Sequence, residues 1–183
     1  EPTSLQRDRL GPELKSSKGT PLQAPPCPGC VVNRTFVRGA GTPVTETISA
    51  LHQMGKGGEG VTLVVPGMND STAELDALAA FVASVSPDIP WHVTAFHADY
   101  RMADARNTSA AMLATAAEAG RRAGLRFVYA GNLPGRVDGL EDTRCPSCDT
   151  LLVERVGYDI RLNRLAGSGA CPTCRTAIPG RWR

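Results

Sequence analysis

Val61-Thr62-Leu63-Val64-Val65-Pro66-Gly67-Met68-Asn69-Asp70-Ser71 is the stretch on which the fold turns. A short, apolar and largely β-branched run stopped by Pro-Gly predicts a strand buried on both faces of a parallel sheet. Ser71 and Glu74 then make a capping box. Leu75, Leu78, Phe81, Val82 and Val85 follow on one helical face until Ser86-Pro87 closes it. The unit repeats. Trp91–Phe96 reads as a second strand, Ser109–Ala123 as an Ala-rich helix broken by Gly124, and Arg126–Ala130 as a third strand ending at Gly131. Strand starts near residues 61, 91 and 126 suit right-handed βαβ crossovers, so the class is α/β, an open layer or part of a barrel. Upstream, Thr42-Pro43 predicts the start of a helix carrying Val44, Ile48, Leu51 and Met54 on one face, ended by Gly55 and Gly57-Gly58.

Beyond this unit the chain changes character at both ends. Residues 1–40 mix Pro, Gly, Lys, Arg and Ser without helical or strand periodicity, which predicts a poorly ordered or atypical segment. From residue 141 to 183 the pattern is two Cys-Pro-x-Cys turns around a β-like stretch, Leu151–Arg155, a small module whose folding would depend on a metal. The expected organisation is therefore 1–40, an α/β unit over 41–140, and a metal module over 141–183.

The six cysteines form three Cys-x-x-Cys pairs. Cys145/Cys148 and Cys171/Cys174, with 22 residues between the pairs, offer four thiolates on two tight turns, the donor set of a tetrahedral zinc site. A hairpin with its tip at Gly167-Ser168-Gly169 accommodates the gap. Rubredoxin-like iron, two disulfides and four free thiols are the alternatives. A site closed by four protein ligands holds structure and does no chemistry. Arg144, Arg155, Arg161 and Arg175 around it read as a solvated face in preference to a nucleic-acid patch. Cys27-Pro-Gly-Cys30 lacks the strand-to-helix context of a redox pair, so incidental thiols or a stray knuckle are favoured.

A second cluster lies at the carboxyl ends of the predicted strands, where open α/β sheets and barrels place their ligand sites. Three loops meet there: Pro66–Asp70, His97–Arg101 and Gly131–Gly135. Gly67 and Gly131 let backbone approach a ligand, Asn69 and Asn132 offer donors and acceptors, and His97 with Asp99 can titrate. Each loop alone is also ordinary turn chemistry. His52 and His92, within a helix and a strand, are read as packing or surface residues.

Val64–Ser71, Trp91–Met102 and Gly124–Asn132, taken in order with the closing Ile178-Pro179-Gly180-Arg181-Trp182, resemble the radical S-adenosylmethionine enzyme of the AmmeMemoRadiSam system, a relative of the pyruvate formate-lyase activating enzymes. The resemblance covers residues 39–183. It implies a partial (β/α)6 radical-SAM barrel with parallel strands, of which this chain would carry the C-terminal part followed by a four-cysteine zinc knuckle. The implied cofactors are Zn2+ at that knuckle, formed by Cys145, Cys148, Cys171 and Cys174, and S-adenosylmethionine on a 4Fe–4S cluster, whose reductive cleavage yields a 5′-deoxyadenosyl radical that abstracts hydrogen. Val65, Pro66, Gly67, Asn69, Asp70, His97, Gly131 and Asn132 would line the S-adenosylmethionine pocket. The implied partners are a protein substrate or Memo-like and AMMECR-type proteins. One departure stands out: the family's Cys-x-x-x-Cys-x-x-Cys loop is missing, and Gln23 occupies the third position before Cys27 and Cys30. The expectation is the C-terminal portion of such an enzyme, inactive alone, with a non-catalytic zinc-binding scaffold as the alternative.

Composition bounds the remaining classes. In 183 residues, 20 basic groups face 18 acidic ones for a formal charge of +2, with no long basic run, which argues against strong capture of nucleic acid. No stretch reaches the ~20 apolar residues of a membrane span, and the amino terminus lacks a secretory core. A cytoplasmic protein is expected.

Overall fold

The computed structural model describes residues 41–182. The expectations for residues 1–40, Cys27 and Cys30 among them, lie outside those residues. In chain order the elements are helix α1 (Gly41–Gln53), strand β1 (Gly60–Val64), α2 (Thr72–Val85), β2 (Trp91–Ala95), a single 3-10 turn (Tyr100–Met102), α3 (Ala110–Arg122), β3 (Val128–Gly131), β4 (Thr143–Arg144), β5 (Leu151–Val156) and β6 (Asp159–Asn163).

The first three strands form a parallel sheet in the order β1-β2-β3. The caps read from sequence are in place. Ser71 Oγ accepts from the Glu74 N–H at 3.3 Å and donates to its carboxylate at 2.8 Å, while Ser109 Oγ caps α3 through the Met112 N–H at 3.3 Å. Both helices cover one face of the sheet. Leu75, Ala79 and Val82 of α2, and Leu113, Ala116 and Ala117 of α3, share a core with Val64, Trp91, Val93 and Ala95. Trp91 lies flat against α3 because Gly120 has no side chain there; a Cβ would sit 2.8 Å from the ring. Sequential strand order with both crossover helices on one face makes this a singly wound parallel sheet. A doubly wound sheet reverses direction at a switch point.

The other face carries two rows fixed by register, Val61–His92–Tyr129 and Leu63–Thr94–Gly131. Here the sequence reading of β1 is corrected. The strand is buried on one face alone: Val61 is 68% and Leu63 45% exposed. β1 is the edge of its sheet, and the chain that covers the second face reaches only β3. The apolar stripe expected of α1 is covered in part: Ile48 is half-buried, while Val44, Leu51 and, just past the helix, Met54 are exposed.

The covering chain is the second, antiparallel sheet, β4-β5-β6. Its Leu152, Val153, Leu165 and Ile178 form one cluster with Phe127 and Tyr129 at the β3 end, so the small module completes its core on the larger sheet. Glu141 joins the two: its buried carboxylate accepts the N–H groups of Gly135 and Gly157, each at 2.7 Å. The expected hairpin tip is also corrected. The β5-β6 turn is Gly157-Tyr158, where Gly157 takes φ 60°. Gly167–Gly169 instead lead back toward the second cysteine pair, and Gly169 lies against Trp182, where a Cβ would fall 2.6 Å from the ring. No helix among the described residues is long and apolar enough to cross a membrane.

Candidate functional site

Two short turns bring four sulfurs together. Cys145, Cys148, Cys171 and Cys174 present Sγ atoms all within 4.8 Å of one another. Across the pairs, Cys145 lies 3.5 Å from Cys174 and Cys148 lies 3.6 Å from Cys171. A tetrahedron of sulfurs ~2.3 Å from a shared ion has edges of about 3.8 Å, so the quartet matches a single-ion cage. The four are free thiols, at separations well beyond the ~2.05 Å of a disulfide.

The local sequence builds the cage twice in the same way. The N–H of Cys145 bonds Thr150 O and its carbonyl accepts the N–H of Asp149; Cys171 does the same with Thr176 and Arg175, all at 2.9 Å. Asp149 (φ 57°) and Arg175 (φ 65°) hold the left-handed conformation that turns the chain after each pair. The N–H groups of Ser147 and Cys148 aim at the Cys145 sulfur, and those of Thr173 and Cys174 at Cys171. The threonines close the ring: Thr150 and Thr176 hydroxyls lie 3.2 Å from Cys148 and Cys174. They also reach across the pseudo-symmetric axis to Thr173 at 3.1 Å and Ser147 at 3.0 Å.

These contacts split the thiols. Burial pushes Cys145 up to about 11, whereas hydrogen bonds from the Thr176 hydroxyl and backbone N–H pull the exposed Cys174 down to about 6. Cys171 is lowered as well, chiefly by the Cys174 N–H. A lowered thiol is already thiolate above its shifted value, and the thiolate is the form that ligates metal, so Cys174 yields its proton to an ion more readily than Cys145. Iodoacetamide is expected to spare all four cysteines of the metal-loaded protein and to label all four after chelation, read by peptide mass spectrometry. Labelling of the metal-loaded protein at any of the four would contradict a closed cage.

At the carboxyl edge the strand ends are tied to one another. Thr108 links the first two, donating to Val64 O at 2.5 Å while accepting the Phe96 N–H at 3.0 Å. Asn132, at φ 64°, ties the second to the third. Its amide donates to Ala95 O at 3.2 Å, and its carbonyl lies 3.1 Å from His97 Nε2. Within this rim the candidates differ. Asn69 is buried and turned back on its own chain, accepting from Val65 N–H at 2.7 Å and donating to Leu63 O of β1 at 2.9 Å. Asp70 accepts the Gly67 N–H at 2.8 Å, and Asp99 accepts the Tyr100 N–H at 2.6 Å. His97 is exposed and Gly67, at φ 78°, has open space beside it, so these two remain available to a ligand. Pro66 and Gly131 are half-buried and Val65 is buried.

A cleft of about 650 Å³ lies at the opposite, amino edge of the sheet, between the second face and the metal module. His92, read from sequence as a packing residue, stacks on Tyr129 there with ring centroids 5.0 Å apart. Arg155 departs from the solvated face expected of it: it is half-buried, 5.2 Å over the Tyr129 ring. Arg144 and Arg161 are surface residues beside Asp149 and Asp159, as expected. Arg155, Glu141 and Thr108 carry no sequence signal, because their partners lie far away in the chain.

Fold and site together define a class: a mixed α/β protein with a parallel three-stranded sheet and, near its carboxyl end, four cysteines placed to hold a metal ion such as zinc. Over 138 residues, 74% of this chain, it is 35% identical to "Uncharacterized protein MJ0808" of Methanocaldococcus jannaschii, and the match spans 41% of that protein's length. No family model matches the chain. No solved structure matches it either.

Proposed function

We propose that the chain is the C-terminal portion of a radical S-adenosylmethionine enzyme of the AmmeMemoRadiSam type, supplying one wall of the nucleoside cavity and a closed structural zinc site. The observation that carries this reading is the carboxyl edge, where Thr108 and Asn132 hydrogen-bond the ends of three successive strands of a singly wound parallel sheet into one surface. The open β1 edge and the exposed Val61 and Leu63 suit a sheet that continues with further strands, since parallel sheets are covered on both faces. A relative of which this chain spans 41% is long enough to hold them.

The donor set fits zinc. Four thiolates with backbone N–H groups aimed at the two inner sulfurs form a closed tetrahedral shell that supplies folding energy and no open coordination position. It does not fit the S-adenosylmethionine-binding cluster: sulfurs this close enclose one ion, and no Cys-x-x-x-Cys-x-x-Cys loop exists in the sequence. Radical initiation therefore has no step on this chain's residues. Their part is to position the nucleoside: Gly67 leaves room for close backbone approach, and His97, steadied by Asn132 O, presents a ring to it.

S-adenosylmethionine titrated into the zinc-loaded chain is expected to shift the amide resonances of Gly67, His97, Gly131 and Asn132. His97→Ala should weaken that binding at least tenfold, about 1.4 kcal/mol. Shifts absent from all four positions would overturn the reading. One zinc per chain without nucleoside binding would favour the second reading, a non-catalytic zinc-binding scaffold, which the internal use of the Asn69 side chain supports.

A further inference from the structure

At the amino edge of the sheet, opposite the carboxyl rim, His92, Tyr129, Arg155 and Trp182 line one cleft. We propose that the cleft between the sheet and the metal module binds a small organic anion, an aromatic or apolar body bearing a carboxylate.

Charge decides the sign of the ligand. Two carboxylates border the cleft: Asp88 pairs with Arg126 at 2.9 Å, and the largely exposed Glu59 lies 3.1 Å from His92 Nε2, whose ring burial holds toward the neutral form. The two guanidinium groups that line it, Arg155 and Arg181, have no carboxylate partner among the described residues. Two guanidinium groups against the one carboxylate that lacks a cationic partner leave the cleft a surplus of positive charge, which favours an incoming anion.

Arg155 is built for recognition. Its backbone N–H donates to Asp142 Oδ1 at 2.9 Å, its Nε donates to Glu141 O at 3.0 Å, and its guanidinium lies over the Tyr129 ring. Tyr129 is held in turn by Thr143, hydroxyl to hydroxyl at 3.1 Å. The side chain is anchored along its length while its two terminal nitrogens have no partner among the described residues. A planar fork with fixed orientation is the natural receptor of a planar carboxylate, which it bonds twice.

The walls supply the rest. Phe127, Tyr129 and Trp182 give an apolar surface for the ligand's body. Trp182 is pinned by its Nε1 donating to Ile178 O at 2.9 Å and by the glycines at 169 and 180, where a Cβ would strike its ring. His92 stacks on Tyr129 and its buried Nε2 lies near Glu59 but off the hydrogen-bond direction, so it has no hydrogen-bond partner. About 650 Å³ falls within the range of small-molecule pockets, roughly 300–1,000 Å³.

The test uses the zinc-loaded chain with two probes of one shape, 1-naphthoate and the uncharged 1-naphthalenemethanol, followed by two-dimensional NMR. Naphthoate is expected to saturate and to shift Tyr129, Arg155 and Trp182, with the alcohol binding at least tenfold more weakly. Arg155→Gln should cost naphthoate at least tenfold and leave the alcohol unchanged. Zinc content and the β3 resonances check that this variant is folded. If it is not, the exposed Arg181→Gln serves, with an expected loss of about threefold. Equal binding of acid and alcohol, absence of saturation by either probe, or shifts confined to the opposite rim would overturn the proposal. S-adenosylmethionine is not among the probes, so the result stands apart from that of the nucleoside titration.

Discussion

Serine in place of Cys171 is expected to release the metal and unfold residues 141–182. Cys171 is fully buried, and the cage it completes lies within the same cluster as Leu152, Leu165 and Ile178. A structural zinc in small peptides contributes roughly 10–16 kcal/mol, as much as a whole domain's stability of about 5–15 kcal/mol. The module has few apolar residues with which to replace it. The damage should extend to β3, because Phe127 and Tyr129 lose their cover. Metal analysis should fall from one equivalent to none, and NMR should show β5 and β6 collapsing to random-coil shifts. Chelation of the native protein should reproduce the spectrum. A Cys171→Ser protein that kept its metal and its dispersed β5–β6 resonances would refute the assignment of a single-ion cage.

Trp91→Ala should be the most costly change in the α/β unit, about 3–5 kcal/mol, the usual range for emptying a buried aromatic site. Trp91 is 1% exposed, fills the space that Gly120 leaves on α3, and donates from Nε1 to Thr62 Oγ1 at 3.0 Å. Removing the ring leaves a cavity between two elements that close packing prevents from collapsing, and strands the Thr62 hydroxyl. Val61→Ala, one strand over and 68% exposed, should change stability by less than about 0.5 kcal/mol. Urea unfolding of the two variants provides the comparison. Equal midpoints would mean that the helices cover the wrong face of the sheet.

The difference between Trp91 and Val61 also marks the limit of reading a strand from its own residues. Both belong to apolar, β-branched or aromatic runs, and both runs are strands. Apolar content shows that a segment seeks burial. Whether each face finds cover depends on what lies across from it. β2 sits between two strands, while β1 is an edge whose second face meets no chain among the described residues. The arginines teach the same lesson. Arg144 and Arg161 look out to solvent as their neighbours suggest, but Arg155, on a strand of the same module, is drawn over Tyr129 by anchors at Glu141 and Asp142. The Gly157-Tyr158 turn went unread because the Gly167-Ser168-Gly169 run is the stronger glycine signal.

What the linear order of residues settled by itself was local: the capping box at Ser71 and Glu74, the strands before Pro66 and Gly131, the helix between Ser109 and Gly124, and two cysteine turns of equal spacing. Caps, helical periods and Cys-x-x-Cys turns are short-range, and each closes its interactions within a few residues. The tertiary structure alone decided which cysteine faces which, that Thr108 and Asn132 tie three strand ends together, and that His92, Tyr129 and Arg155 share a cleft. Those contacts join residues up to dozens of positions apart. Their geometry follows from sheet register and from the packing of the metal module on β3, neither of which any single segment encodes.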